Sequence, residues 1–281
     1  MSIRRGILYI VATPIGNLED FSARARRILG DVDLILAEDT RHSRRLLQHF
    51  GIATPVKAYH DHNERQLAPA LVEKLLRGTN IALISDAGMP LISDPGYHLV
   101  RAAHRSGAAV VSVPGPCALV SALSIAGSPA DRFVFEGYLP SRASTRQRHL
   151  ETLRNESRTM VFYEAPHRVL GCLKDMADCF GPERPAAIAR ELTKQYENVH
   201  CDSLGSLLEW LKEDTKRRKG EFVLIVEGAA KAAESVDNAQ WVLEVLLRAL
   251  PLKQAVLLAE EITRLKKNDL YALALKLKRN H

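Results

Sequence analysis

Apolar residues in the first 117 positions form short runs, separated by stretches with helical spacing. Short apolar, β-branched runs bounded by turn residues are typical of buried strands. The pattern predicts strands over Ile7–Ala12, Val32–Glu38, Pro55–Tyr59, Ile81–Ser85 and Ala109–Val113. It predicts helices over Ser22–Leu29, Arg41–Phe50, Glu64–Arg77 and Gly96–Ser106. Such alternation indicates an α/β domain with a mainly parallel sheet, over residues 1–117.

A second block has a different rhythm and predicts another α/β domain, over residues 118–230. Two of its strands follow each other without an intervening helix, which favours a mixed sheet. The predicted strands are Phe133–Leu139, Thr159–Tyr163, Ala186–Arg190, Asn198–Cys201 and Phe222–Val226, and the helices are Thr145–Asn155, His167–Phe180 and Leu204–Lys212. A helical tail over residues 231–281 is predicted from Trp241–Ala249, Lys253–Glu261 and Asp269–Leu277.

Charge favours a polyanionic partner, because 39 Lys and Arg exceed 33 Asp and Glu and give a net charge of +6. Basic residues cluster at Arg142, Arg146 and Arg148, along Lys216–Lys219, and in the tail at Lys276. Any one cluster is equally consistent with a solvated surface. The apolar run Ile7–Ala12 is too short to span a bilayer, so we expect a cytoplasmic protein. Four cysteines without a Cys-x-x-Cys pair indicate neither a zinc ribbon nor a disulfide framework.

Turn-forming segments follow four strands of the first domain. Ligands bind beyond the carboxyl ends of parallel strands, where such loops converge. Any single loop could be an ordinary connection, but together the four predict a ligand site. The segments are Thr13–Leu18, Asp39–His42, Asp86–Pro90 and Pro114–Pro116. Ser93–Gly96 instead predicts a helix start, with Pro95 at the first helical position.

The ligand is expected to lack phosphates, because the chain has neither Gly-x-Gly-x-x-Gly nor a P-loop motif. His60–His62 could bind a metal, but no further ligand stands at a standard spacing, so a polar loop is favoured and no metal is expected. In the second domain, Tyr163–Arg168 and Arg190–Lys194 each follow a strand. They could be surface ion-pair clusters or could line a cleft between the domains.

Six segments in order resemble the tetrapyrrole-methylase superfamily, and within it the branch that methylates small-subunit ribosomal RNA. The resemblance covers essentially the whole chain. The segments are Ala12–Leu18, Ala37–Arg41, Ser85–Pro90, Val113–Pro116, Tyr163–Arg168 and Ala189–Lys194.

This resemblance implies two α/β domains with S-adenosylmethionine in the interdomain cleft, a homodimer, and a small C-terminal helix-turn-helix module that binds RNA. The implied reaction is 2'-O-methylation of a cytidine in the decoding region of 16S rRNA, on free rRNA or on the assembled small subunit. The implied cofactor contacts are Pro14, Asp86, Gly88, Met89, Ile92, Pro114, Gly115, Pro116, Ala165, Ala189 and Gly220.

A ribose hydroxyl is a poor nucleophile, so a base is expected to accept its proton. Glu38, Glu164 and Glu191 are the candidates, and Glu164→Gln is predicted to lose methylation while keeping cofactor binding. Catalytic or clamping roles are further expected for Arg168 and Arg190. RNA contacts are expected at Arg41, Arg142, Arg146, Arg148, Lys194, Lys253 and Lys276.

Two other functions stay open on the sequence. One is methylation of a small tetrapyrrole, which the basic surface and the helical tail disfavour. The other is a non-catalytic rRNA-binding factor, which the full set of ligand-edge loops disfavours. Removal of the tail tests the first, and S-adenosylmethionine binding tests the second.

Overall fold

The computed structural model describes residues 5–229, 236–263 and 265–279. Backbone contacts divide the chain into two compact units. The large unit carries both β-sheets and extends to Glu227, and the small unit comprises Asn155–Ser157 and the segment from Gly228 onwards. Among the described residues, no helix is long and apolar enough to cross a membrane.

The first sheet has five parallel strands in the order β3-β2-β4-β1-β5. The strands are β1 Ile7–Val11, β2 Leu34–Ala37, β3 Val56–Ala58, β4 Ile81–Ile84 and β5 Ala109–Val113. The connecting helices are α1 Ala23–Asp31, α2 Thr40–His49, α3 Glu64–Leu76 and α4 Tyr97–Arg105.

Helices cover this sheet on both faces, which explains why its strands have continuous apolar sequences. Leu8 and Ile10 of β1 pack into one core cluster, whereas Val11 packs into another. All of β4 is buried. A parallel strand covered on both faces excludes polar residues from either side.

The second sheet has five strands in the order β6-β7-β10-β8-β9. Only β6 and β7 pair in parallel, and the other neighbours are antiparallel, so the predicted mixed sheet is confirmed. The strands are β6 Phe133–Tyr138, β7 Thr159–Glu164, β8 Pro185–Arg190, β9 Asn198–Ser203 and β10 Phe222–Val226. The helices are α5 Ala118–Ile125, α6 Ala143–Leu153, α7 Val169–Phe180 and α8 Leu204–Glu213. Short 3-10 helices lie at Leu18–Asp20 and Thr215–Arg218.

The small unit contains three helices, α9 Val236–Leu247, α10 Leu252–Thr263 and α11 Lys267–Arg279. They share an apolar core that includes Leu243, Val256 and Leu270. The predicted α/β fold with a C-terminal helical part is therefore confirmed. The predicted boundary at residue 230 lies outside the described residues, and the division at residues 117 and 230 stays a prediction.

Two elements differ from the sequence prediction. Helix α5 was not predicted; Leu119, Ala122 and Leu123 on it are buried, and its sequence is too uniformly apolar to show a polar face. Helix α4 begins at Tyr97 with Gly96 as its N-cap, so the placement of Pro95 at the first helical position is wrong. Gly96 has a φ of +139°, which is not a helical value, so Pro95 lies outside the helix.

Candidate functional site

A cavity of about 250 Å³ lies in the large unit, between the carboxyl ends of the first sheet and strands of the second. Each of the four predicted loops contributes a lining residue or lies directly beside one. On the first-sheet side it is lined by Ile15, Glu38, Asp86, Ala87, Gly88, Met89, Ile92, Ser93 and Asp94, and just beyond β5 by Cys117 and Ala118. The prediction of a site at this sheet edge therefore agrees with the position of the cavity.

The second sheet supplies the opposite wall of the cavity. Tyr138 ends β6, Tyr163 and Glu164 end β7, and Phe222 and Val223 begin β10. Leu192 and Glu221 complete this wall. The hydroxyl of Tyr163 accepts a hydrogen bond from the backbone N–H of Leu119 (3.0 Å), which fixes the ring against the start of α5.

Backbone hydrogen bonds tie together the loops that follow β1 and β4. Thr13 and Gly88 exchange two such bonds, of 2.9 and 3.0 Å. The Ser85 hydroxyl donates to the Gly88 carbonyl (3.0 Å), and Gly88 has a φ of +84°. A Cβ at Gly88 would come within 3.3 Å of the Ile15 side chain, so glycine allows the loops after β1 and β4 to approach each other closely. Asp86 accepts a hydrogen bond from the Asp39 N–H (3.2 Å), which extends the network to the loop after β2.

The segment between Pro90 and Gly96 has a strained backbone beside the cavity. Leu91 and Ser93 adopt φ values of +73° and +67°, which side chains other than glycine rarely adopt. The buried carboxylate of Glu64 accepts a hydrogen bond from the Gly96 N–H (3.1 Å) and anchors the end of the segment. Strained conformations persist where the surroundings determine them, and they concentrate at functional sites.

The cavity wall is acidic. Its described lining residues include five carboxylates and no Lys, Arg or His; the carboxylates are Glu38, Asp86, Asp94, Glu164 and Glu221. Burial, followed by the charge of Glu38, raises the pKa of Asp94 to about 7, although a hydrogen bond from Ser85 opposes the shift. Burial and then the charge of Asp86 also raise the pKa of Glu38. Such a lining suits a ligand that carries positive charge and no phosphate.

Glu164 is held by groups of the second sheet. Its side chain is fully buried and lies 3.1 Å from the Arg168 guanidinium. The same carboxylate accepts a hydrogen bond from the Ala165 N–H (2.8 Å). Arg168 also donates to the Leu139 carbonyl. This ion pair therefore fixes the end of β7. A carboxylate that is held by a guanidinium and a backbone N–H is poorly placed to accept a proton from a substrate.

Glu191 and Lys194 form a second paired group. Lys194 Nζ lies 2.9 Å from Glu191 and 2.8 Å from Glu221. Burial opposes ionisation of Glu191, but the Glu221 N–H and Lys194 outweigh it and lower its pKa. A carboxylate with a lowered pKa is a weak proton acceptor, so this geometry also disfavours Glu191 as the base. Arg190 donates to the carbonyls of Lys216 (3.0 Å) and Lys219 (3.3 Å), which positions the basic turn.

The predicted cofactor contacts divide into two sets. Asp86, Gly88, Met89 and Ile92 line the cavity. The others lie outside its lining, and some support it: a Cβ at Gly115 would stand 3.0 Å from the Ala12 Cβ, so glycine allows close packing there. This second set comprises Pro14, Pro114, Gly115, Pro116, Ala165, Ala189 and Gly220.

Two predicted RNA contacts need correction. Arg146 is buried and binds Asp175 through a hydrogen bond of 2.6 Å, so it is not available to a phosphate. Its partner lies 29 residues away on α7, which the local basic sequence could not indicate. Lys194 is engaged by two carboxylates and is not the free phosphate clamp that we predicted. The remaining candidates are exposed: Arg41, Arg142, Arg148, Lys253 and Lys276.

Asp94, Tyr138 and Glu221 line the cavity but were not predicted as site residues. Asp94 was assigned to a helix start because Ser-Asp-Pro-Gly resembles a capping sequence. Tyr138 lies one residue before the end of the predicted strand Phe133–Leu139, and Glu221 directly precedes the predicted strand Phe222–Val226. These positions at strand ends were available signals. The segment His60–His62, which the sequence offered as a possible metal site, lies just before α3. Its His60 N–H donates a hydrogen bond to the Asn63 side chain (2.9 Å) at the start of that helix. No group of side chains among the described residues is arranged to hold a metal ion.

Comparison with known families agrees with this geometry. The model of the Tetrapyrrole (Corrin/Porphyrin) Methylases matches residues 7–208, and the chain belongs to that family. The RsmI C-terminal HTH domain model matches residues 232–278. The ribosomal RNA small subunit methyltransferase I of Pseudomonas aeruginosa is 54% identical over 96% of this chain and 97% of its own length.

Solved structures share the fold at low sequence identity. Diphthine synthase superposes with a TM-score of 0.60 at 15% identity, over 79% of this chain and 90% of its own. Uroporphyrin-III C-methyl transferase from Thermus thermophilus, complexed with S-adenyl homocysteine, gives a TM-score of 0.53 at 19% identity. That match covers 78% of this chain and 97% of the other.

Proposed function

We propose that this protein transfers a methyl group from S-adenosylmethionine to the ribose 2'-hydroxyl of a cytidine in the decoding region of 16S rRNA. The observation that carries the proposal is the acidic cleft at the ligand edge of a methylase fold. The extensive identity with a ribosomal RNA small subunit methyltransferase I supports rRNA as the substrate.

The residues of the cleft fit S-adenosylmethionine. This cofactor carries a sulfonium and an ammonium but no phosphate, which suits a wall whose described residues include five carboxylates and no cationic side chain. Asp86, Gly88, Met89 and Ile92 would hold it, because they form the inner wall beside the Gly88 turn. Supporting roles are proposed for Pro14, Pro114–Pro116, Ala165, Ala189 and Gly220.

When bound, S-adenosylmethionine supplies a methyl group that is activated by a positively charged sulfur. The protein positions the ribose oxygen against that methyl group and excludes competing water, which accounts for much of the rate of a displacement reaction. Glu164 and Arg168 stabilise the end of β7 and so shape the wall where the ribose would bind.

Exposed basic residues would attract the RNA backbone. Arg142 and Arg148 lie on or beside α6, and Lys253 and Lys276 lie in the small unit. Contacts with phosphates add a salt-dependent attraction without sequence selectivity. We propose that the small unit binds RNA, that the protein acts in the cytoplasm, and that it functions as a homodimer.

Labelled methyl transfer tests this function. The purified protein is mixed with labelled S-adenosylmethionine and small ribosomal subunits that lack modifications, and the labelled nucleotide is mapped with nucleases. We expect label at one cytidine, at a linkage that resists alkaline cleavage because its 2'-oxygen is methylated. Free 16S rRNA in a parallel reaction distinguishes the two substrate forms. Cofactor binding without label on RNA would contradict the proposal.

A further inference from the structure

We propose that Asp94 is the catalytic base, which accepts the proton of the substrate hydroxyl during methyl transfer. This inference rests on the proposed function and assigns a chemical role to a residue that the sequence pattern places at a helix start. It is carried by the position of Asp94 in the cleft, by the anchoring of its loop and by the lack of Lys, Arg and His among the described lining residues.

The loop of Asp94 reaches from the first sheet to the second. Asp94 and Ser93 line the cavity together with Tyr138 and Tyr163. A Cβ at Gly137 of β6 would stand 3.3 Å from the Ser93 hydroxyl, so the loop contacts the second sheet. A substrate that enters between the sheets would therefore meet Asp94.

The backbone around Asp94 is held rigidly enough to orient a carboxylate. Positive φ angles at Leu91 and Ser93 turn the chain into the cleft. At the end of the loop, the Gly96 N–H donates a hydrogen bond to the Glu64 carboxylate. A Cβ at Gly96 would come within 2.7 Å of the Leu83 side chain, so the loop packs tightly on β4. A fixed geometry is the first requirement for a general base.

The other carboxylates of the cleft suit this role less well. Glu164 is engaged by Arg168 and the Ala165 N–H. Glu221 is paired with Lys194, as is Glu191. Glu38 interacts with Asp94, Asp86, Asp61, His60 and Asp39, all of which follow strands of the first sheet. Asp86 accepts a hydrogen bond from the Asp39 N–H. Asp94, in contrast, acts electrostatically on Tyr138 and Tyr163 of the second sheet.

The groups that face Asp94 also bring its pKa close to neutral pH. They are Glu38 just after β2, Asp61 after β3, and Ser85 and Asp86 after β4. Tyr138 and Tyr163 also face Asp94 from the second sheet, and its charge raises the pKa of both tyrosines. Burial and three like charges raise the pKa to about 7, and the Ser85 hydroxyl opposes the rise. A base with this pKa is ionised in much of the enzyme near neutrality and still accepts a proton effectively.

The proton and electron balance is simple. The ribose oxygen forms a bond to the methyl carbon while its hydroxyl proton passes to Asp94. The carbon–sulfur bond of the methyl donor breaks, and its electron pair remains on sulfur. Asp94 then releases the proton to solvent, so no other reactant is required.

The test compares Asp94→Asn with the wild-type enzyme in single-turnover methyl transfer to unmodified small subunits across pH. At cofactor and subunit concentrations well below saturation, where the rate reports the free enzyme, the wild-type rate should rise with pH and level off above about 7. Asp94→Asn should be slower by at least about 100-fold and should lose this rise, because the amide cannot accept the proton. Below about pH 6, where Asp94 is protonated and Asp94→Asn leaves the charge of the cleft unchanged, the dissociation constant for S-adenosylmethionine should change by less than about threefold.

Two further measurements keep the outcome clear. Asp61→Asn, an exposed carboxylate in the same acidic group, should retain the plateau rate of the wild type. Titration of the Asp94 carboxyl carbon by NMR, without cofactor, should give a pKa near 7. A wild-type rate that does not depend on pH near 7, or an Asp94→Asn rate within threefold of wild type, would overturn the assignment. Wild-type enzyme that binds the cofactor and leaves RNA unlabelled would instead overturn the proposed function.

Discussion

Carboxylates in the two halves of the large unit have opposite surroundings. Asp94 and Glu38, which follow strands of the first sheet, face other acids and have raised pKa values. Glu164 and Asp175, which belong to the second sheet and its helix α7, are buried against arginines. A buried carboxylate that faces other acids has a raised pKa and can exchange a proton closer to neutral pH, whereas an arginine beside a buried carboxylate compensates its charge and fixes structure. The presence or absence of a neighbouring arginine therefore distinguishes structural from reactive acids in this unit.

The largest expected effect comes from breaking a paired acid. Arg146→Ala should lower the free energy of unfolding by about 3–5 kcal/mol, because it leaves Asp175 buried without a countercharge. Urea unfolding followed by circular dichroism measures the change. The matched control is Arg148→Ala on the same helix, whose exposed side chain should affect stability by less than about 0.5 kcal/mol.

The same pair of variants separates structural from RNA-binding arginines. Arg148→Ala should weaken binding to small subunits and reduce the dependence of affinity on salt. Replacing both Arg146 and Asp175 with alanine should cost less than the sum of the single variants, because neither charge is then unpaired. A stable Arg146→Ala variant with weakened RNA binding would restore the original prediction for Arg146.

A smaller effect is expected when the paired group at the cleft loses its cation. Lys194→Met should reduce stability at neutral pH by about 1–2 kcal/mol, because Glu191 loses a charged hydrogen bond. The pKa of Glu191 is lowered in the folded protein from its ordinary value of 4.5, so this contribution is present above that value and is lost as pH falls through the lowered pKa.

Unfolding curves at neutral and acidic pH measure this difference. The difference in free energy of unfolding between wild type and Lys194→Met should be full at pH 7 and should shrink below 4.5 as pH falls through the lowered pKa of Glu191. Lys212→Met, which removes an exposed partner of Glu209, is the matched control and should leave stability nearly unchanged. If the free energies of unfolding of wild type and Lys194→Met differ by the same amount at both pH values, Lys194 acts by packing over Gly16 and not by its charge.

Sequence patterns predicted the two sheets and the loop edge because those features depend on local periodicity. Four strand ends pointed to one cleft, and Asp86 and Gly88 were found in it. Arg146 was misjudged because its partner is distant in sequence. Asp94 was missed because positive φ angles at Leu91 and Ser93, which are not glycines, have no local sequence signal. Tertiary packing imposes both features, so only the folded chain reveals them.

The unpaired acids should show the opposite dependence of stability on pH. The pKa of Asp94 is raised on folding, so its contribution to stability is full below its unfolded value and is lost as pH rises through about 7. Asp94→Asn should therefore be more stable than wild type at pH 8, by about 1 kcal/mol after allowance for solvent screening. Thermal or urea unfolding as a function of pH measures this advantage, which should shrink at about pH 5 and disappear below the ordinary pKa of 3.8.

Asp61→Asn provides the smallest and most selective change. Asp61 is exposed, and its charge is the weakest of the three that raise the pKa of Asp94. Its removal should lower that pKa by a few tenths of a unit, since interactions through solvent are screened. NMR titration of the Asp94 carboxyl in low salt measures the shift, and added salt should reduce it. An unchanged pKa in low salt would mean that burial, Glu38 and Asp86 set the protonation of Asp94 without Asp61, and the acidic cluster would then be smaller than proposed.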